Sequence, residues 1–201
     1  MAYASWVTPN KTSGNGNDTV AWTGSTHTGR SSRTTTATFS ASGVASKTLT
    51  IIQAGASEFV QLDDTASVSK SGGTATISGI SNSSKLTFSL TGDNEIGLVL
   101  PSSYSANGVT TNNGAAITGD PGATQQYTFS ITFTNIGENT SIDSLVSQLT
   151  VTANGGQTDT CTITQAAGDA YLTISPTTIN LTAAGTAVSV TVSSNTSWSI
   201  S

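Results

Sequence analysis

An all-β chain is predicted by three observations. Apolar and polar residues alternate with a period of two along the 201 residues, and no window of ten or more shows the 3.6 spacing of an amphipathic helix. Ser and Thr make up roughly a third of the chain, and Thr, like Val, favours strands. Only 8% of residues are charged, against about 25% in an average globular domain.

The strand candidates follow in order. The first centre on Trp6, on Val20 and Trp22, on Ala37, Phe39 and Ala41, and on Leu49 and Ile51. Seven more are expected at 58–62, 74–80, 85–90, 96–100, 127–134, 146–152 and 159–165. In this group Tyr127, Phe129, Ile131 and Phe133 form one inward face, and Cys161 alternates with Ile163 as a small buried hydrophobe. Asn154-Gly155-Gly156 supplies positive-φ residues for a hairpin turn. Residues 101–124, rich in Gly, Asn and Ser, read as a long loop. The last strands fall at Leu172 and Ile174, at Ile179 and Leu181 with Val188, Val190 and Val192, and at Trp198 and Ile200.

Two stretches match each other. Thr48-Leu49-Thr50-Ile51-Ile52-Gln53-Ala54-Gly55 leads into Phe59-Val60-Gln61-Leu62. Thr160-Cys161-Thr162-Ile163-Thr164-Gln165-Ala166-Ala167-Gly168 leads into Tyr171-Leu172-Thr173-Ile174. Each reads as a closing strand, a short Ala/Gly hinge and the first strand of a new unit. The boundaries divide the chain into 1–55, 57–168 and 169–201. The middle segment, with seven short strands, is predicted to be a complete immunoglobulin-like β-sandwich. The flanking segments supply about four strands and three, which together make the seven of one further sandwich. Their shared core is expected to hold Leu172, Ile174, Leu181, Val188, Val190, Val192, Trp198, Ile200, Trp6, Val20, Trp22, Phe39, Leu49 and Ile51.

An odd number of strands leaves the ends of the middle sandwich at opposite poles, and the hinges are only two or three residues long. Completion between copies of the chain is therefore expected over closure within one chain, giving a ring or a filament. Unpartnered, each half leaves open strand edges. A chain cut short at Ser201, or completed by another protein, is the competing account of the two halves.

The two ends, joined C-terminus to N-terminus, resemble a BACON domain, the Ig-like module of Bacteroidetes surface proteins and of phages that infect them. The residues are Ser197-Trp198-Ser199-Ile200-Ser201, Ala4-Ser5-Trp6-Val7-Thr8-Pro9, Gly14-Asn15-Gly16-Asn17, Thr28-Gly29-Arg30-Ser31-Ser32-Arg33-Thr34, and the strand closing on Gln53. The middle segment lacks both Trp residues and resembles a divergent member, with Leu86 near the place of Trp198. The resemblance implies a surface module with carbohydrate or mucin attachment, and Arg33 anchoring a turn to backbone carbonyls. Tyr3 and Tyr104, in loop-like contexts, are the candidate glycan contacts; Trp22, alternating with Val20, reads as core.

Other chemistry is sparse. A net charge of −5 with six Lys and Arg offers no phosphate-binding stripe, so no nucleic acid is expected. No segment is long and apolar enough to span a bilayer, and the first thirty residues contain no secretory h-region. The single His27 sits in a turn. Asp63-Asp64 and Asp93-Asn94-Glu95 offer oxygens but lack the spacing of a calcium loop. Six Asn-X-Ser/Thr sites fit chance in so Ser/Thr-rich a chain. No catalytic constellation, metal or cofactor is expected. The reading is a non-enzymatic virion accessory protein, a capsid decoration or head or tail fibre component, partnered by copies of itself, other virion proteins and glycans. The competing readings are an extracellular carbohydrate-binding module of a bacterial surface protein and a self-polymerising filament subunit.

Overall fold

The computed structural model describes residues 3–201 and is all-β, with no helix among the described residues. Strand β1 (Val7–Pro9) pairs antiparallel with β2 (Trp22–Gly24), and β3 (Arg33–Phe39) with β4 (Lys47–Gln53). These two ribbons are separate sheets. The central segment holds β5 (Val60–Leu62), β6 (Thr65–Val68), β7 (Gly73–Ser81), β8 (Leu86–Thr91), β9 (Ser103–Ala106), β10 (Val109–Asn112), β11 (Tyr127–Ile136), β12 (Leu145–Ala153) and β13 (Thr158–Gln165). A last hairpin joins β14 (Leu172–Ser175) to β15 (Thr191–Ser194).

In the central body a five-stranded sheet, ordered β10-β9-β11-β7-β5, shares one core with a four-stranded sheet, ordered β6-β13-β12-β8. The alternation dictated by a pleated strand decides which side chains enter it. Tyr127, Phe129, Ile131 and Phe133 of β11 are all buried, as are Cys161 and Ile163 of β13. Phe88 packs at 4.8 Å from the Tyr104 ring and 5.8 Å from that of Phe129. Burying side chains of this size is worth about 1.5–3 kcal/mol each. The β12–β13 turn closes at Gly156, whose φ of 88° suits glycine, with its N–H donated to the Ala153 carbonyl at 3.0 Å.

The chain enters and leaves this body at opposite ends. Val60 of β5 lies opposite Ser81, which faces Tyr127 at the start of β11. At the exit, the Gln165 amide donates to the Gly137 carbonyl, just beyond the far end of β11. The nine residues of β7 separate the two ends by roughly 30 Å.

Four expectations need correction. Residues 96–100 form no strand: the Asn94 side chain accepts the Leu98 N–H and donates to the Leu98 carbonyl, both at 2.9 Å, and bends the segment into a turn that still buries Leu98. The 101–124 loop contains the β9–β10 hairpin, turned by Asn107 and Gly108 at φ of 50° and 76°. Strand β6 was not expected; Thr-Ala-Ser-Val is short, and its parallel partner β13 lies about a hundred residues away. Finally, residues 179–181, 188–190 and 198–200 lie in no strand, since no neighbouring strand offers them a ladder.

Candidate functional site

The features that stand out are the two end modules and the joint that holds one of them. In the N-terminal module, β1–β2 and β3–β4 border a cleft of about 520 Å³. Tyr3, Val20, Trp22, Ala37, Phe39 and Val44 line it, together with the polar Lys11, Asp18 and Lys47. Trp22 also lines it, edge-on to Tyr3 at 5.2 Å and to Phe39 at 6.4 Å. Lys11 and Asp18 pair at 2.5 Å, and this bond lowers the Asp18 pKa. Only Val7 and Ala37 of the described residues in this module are buried hydrophobics; Phe39 is 44% exposed and Leu49 38%.

Arg33, Trp6 and Gln53 form a second group in the module. The Arg33 guanidinium lies 4.5 Å from the Trp6 ring centre. It donates to the Ser25 carbonyl at 2.7 Å and to Gln53 Oε1 at 2.9 Å, while Gln53 Nε2 donates to the same Ser25 carbonyl at 2.9 Å. Arg33 therefore does tie a turn to backbone oxygens.

The C-terminal module has one hairpin and no buried hydrophobic side chain among the described residues. Leu172, Ile174, Leu181, Val188, Val190 and Trp198 are exposed, Val192 and the N-terminal Trp6, Val20 and Ile51 are half-buried, and Ile200 is 87% exposed. No strand of this module pairs with one of the N-terminal module. The fourteen expected core residues thus fall into two separate groups, each with an uncovered apolar face.

Arg30 fastens the N-terminal module to the central body. It makes a bidentate bond to Asp120, at 2.6 and 2.8 Å, and donates to the Asn82 carbonyl. Its Nε lies 2.8 Å from Glu58 Oε1 as an ion pair without hydrogen-bond alignment. Glu58, itself buried, also accepts the Gly155 N–H at 2.6 Å and the Ser83 hydroxyl at 3.1 Å. The hydrogen bond to Arg30 lowers the Asp120 pKa, and Asp120 in turn raises that of Arg30. Gly55 fits this joint because a Cβ there would lie 1.9 Å from the Arg30 carbonyl oxygen. The cluster makes bonds between residues up to 97 apart, so no local pattern announces it; the scarcity of charge is the only hint in the sequence. At the other end the tie is lighter: Lys70 pairs with Asp169, which is mostly exposed, and Asn195 donates to the Thr140 carbonyl at 3.2 Å.

Of the two candidate glycan contacts, Tyr3 lies in the cleft and is half-buried. Tyr104 is a correction. It is 4% exposed in β9, packed on Phe88, and burial raises its pKa; its phenol reaches no surface. His27 Nε2 lies 2.7 Å from the Ser31 carbonyl and belongs to its turn. The acidic groups serve the backbone: Asp63 accepts the Ser78 N–H, Glu95 the Val146 N–H, and Asp159 the Leu62 N–H. Burial pushes the Cys161 thiol up to about 11 and Tyr127, bonded to the Ser83 carbonyl, up to about 12. Among the described residues no group of three His, Cys, Asp or Glu is gathered for a metal ion.

Compared with known proteins, the chain matches no family model and no curated relative.

Proposed function

We propose that this chain is a structural, non-enzymatic subunit that assembles with copies of itself. The C-terminal module of one copy completes the N-terminal module of the next, making an Ig-like composite sandwich between whole ones. The observation that carries the reading is the pair of uncovered apolar faces held at opposite ends of one closed body. Contiguous uncovered apolar faces mark interaction surfaces, and a head-to-tail contact between two different faces builds rings or filaments. The setting we propose is a virion, as capsid decoration or a head or tail fibre component. In support, Trp6, Arg33 and Gln53, which carry the BACON resemblance, meet in one cluster. Native mass spectrometry of the purified chain tests the assembly, with multiples of 20.2 kDa expected; a single-chain mass at micromolar concentration ends it. Proteomics of purified particles tests the setting.

A second reading, a carbohydrate-binding module of a cell-surface protein, is favoured by the cleft itself. Its volume lies within the range of about 300–1,000 Å³ typical of ligand pockets, and Tyr3, Trp22 and Phe39 line it beside Lys11 and Asp18. A glycan array with selective binding that Trp22→Ala abolishes would favour this reading over the first.

A further inference from the structure

The central body supplies an internal template for the composite domain. In the ladder β3–β4, Arg33 faces Gln53, Ala37 faces Leu49 and Phe39 faces Lys47. Exactly 112 positions on, in β12–β13, Leu145 faces Gln165, Leu149 faces Cys161 and Val151 faces Asp159. The side chains repeat too. Gln53 Nε2 donates to the Ser25 carbonyl at 2.9 Å and Gln165 Nε2 to the Gly137 carbonyl at 2.8 Å. Ser25 and Gly137 are again 112 apart, each the residue that follows its strand, β2 or β11.

The C-terminal module repeats the other part of the body. Leu172 faces Ser194 and Ile174 faces Val192, as Val60 faces Ser81 and Leu62 faces Gly79. The Ser194 hydroxyl donates to the Tyr171 carbonyl, and Asn195 accepts the Tyr171 N–H while donating to the Asp169 carbonyl. In the body, Ser81 donates to the Phe59 carbonyl, and Asn82 accepts the Phe59 N–H while donating to the Ser57 carbonyl. Hence β14 and β15 stand for β5 and β7, and β2, β3 and β4 stand for β11, β12 and β13.

Apart from the β9–β10 hairpin, which is an insertion of the central body, three of its ladders have no counterpart in the end modules: β7 with β11, β8 with β12, and β6 with β13. Each would join a C-terminal strand to an N-terminal one. Resting on the assembly reading, we infer that these three ladders form between neighbouring copies. The free edge of β2 receives β15, residues 178–181 run parallel to β4, and residues 198–200 run antiparallel along β3. The body fixes the register of the last once the turn is one residue shorter: Asn82 precedes Leu86 by four positions and Asn195 precedes Trp198 by three, and this spacing sets the apolar Trp198 and Ile200, not Ser199, on the inward face. Phe88 faces Val151, Thr87 faces Thr152 and Leu86 faces Ala153, so Ile200 faces Phe39, Ser199 faces Ser40 and Trp198 faces Ala41. Ile200 and Trp198 then turn inward into the partner's core, while Ser199 and Ser40 turn outward.

Cysteines at the outward pair test this without touching the core. Residues directly opposite have Cα atoms about 4.5–5.5 Å apart, inside the range a disulfide spans; diagonal neighbours, at about 7–8 Å, lie outside it. The full-length Ser40→Cys/Ser199→Cys variant is oxidised beside a Ser40→Cys/Ser197→Cys control and read by non-reducing gel and native mass. Cys161 is fully buried and stays out of the reaction. Links between chains, reversed by reductant and forming about tenfold faster in the first variant than in the control, are expected. Assembly with equal linking in both variants, or none, overturns the register and leaves the exchange standing. Rapid linking within one chain overturns pairing between copies. A single-chain mass throughout overturns the assembly reading and the inference together.

Discussion

The central body and the end modules use the same hairpins in the same registers, yet only one of them has an interior. Phe88 in β8 is 2% exposed; Ile200, which the inferred register sets in the corresponding place, is 87% exposed. A hairpin supplies hydrogen bonds wherever it forms, but an isolated two-stranded hairpin is marginally stable at best, and its apolar face needs a second layer. The comparison separates what backbone pairing achieves from what face-to-face packing adds.

The largest effect should come from breaking the closed side. Phe88→Ala should cost about 3–5 kcal/mol in urea-induced unfolding, whereas Ile200→Ala should leave that transition in place and weaken self-association in sedimentation experiments. Equal losses of stability in dilute solution would mean that the end module already has a closed core.

A smaller effect is expected at the joint. Arg30→Ala leaves buried Glu58 without its cation, and losing hydrogen bonds between charged groups should cost about 1.5–3 kcal/mol. Proteolysis at residues 54–57 should quicken accordingly. Acid should do the same. Asp120 has a lowered folded-state pKa, so its contribution is complete above the ordinary value of 3.8 and disappears as the pH falls through the lowered value. Asp120→Asn should be cut readily at pH 7 and show a flatter acid dependence; a wild-type cleavage rate unchanged from pH 7 to pH 2 would remove the joint from consideration.

The smallest effect compares the two copies of one clamp. Asn82 is buried and Asn195 only half-buried. Asn82→Ala should cost about 1–3 kcal/mol by stranding buried backbone groups, and Asn195→Ala under about 1 kcal/mol in the monomer. Hydrogen exchange at the Phe59 and Tyr171 amides reads each directly. In the assembled state the two losses should converge, and a persistent gap would argue against a shared interior.

Much of the architecture was legible because it is written in alternation. The β11 face from Tyr127 to Phe133 and strands β3 and β4 follow from period two, and the match of Gln53 with Gln165 marks the repeat. The features that alternation does not encode depend on distance or on polar strands. Strand β6 earns its place only through β13, and Ser103–Ala106 hides Tyr104 among serines, so a core ring read as a surface one. Asn107-Gly108 is a hairpin signal, but its flanks are polar and show no alternation. The Arg30 cluster could not be read locally, since its partners come from three separate segments.

The two attachments of the central body differ in stiffness. On one side, Arg30 is gripped by two carboxylates and a carbonyl over a glycine that leaves no clearance. On the other, Gly168 is also packed closely against the Asn139 carbonyl and its N–H donates to the Ser141 carbonyl, but the charged tie is a solvent-facing lysine–aspartate pair. A string of such subunits would flex at one place per repeat and stay straight at the next, so its bending is set by residues 166–169 and its contour length is not.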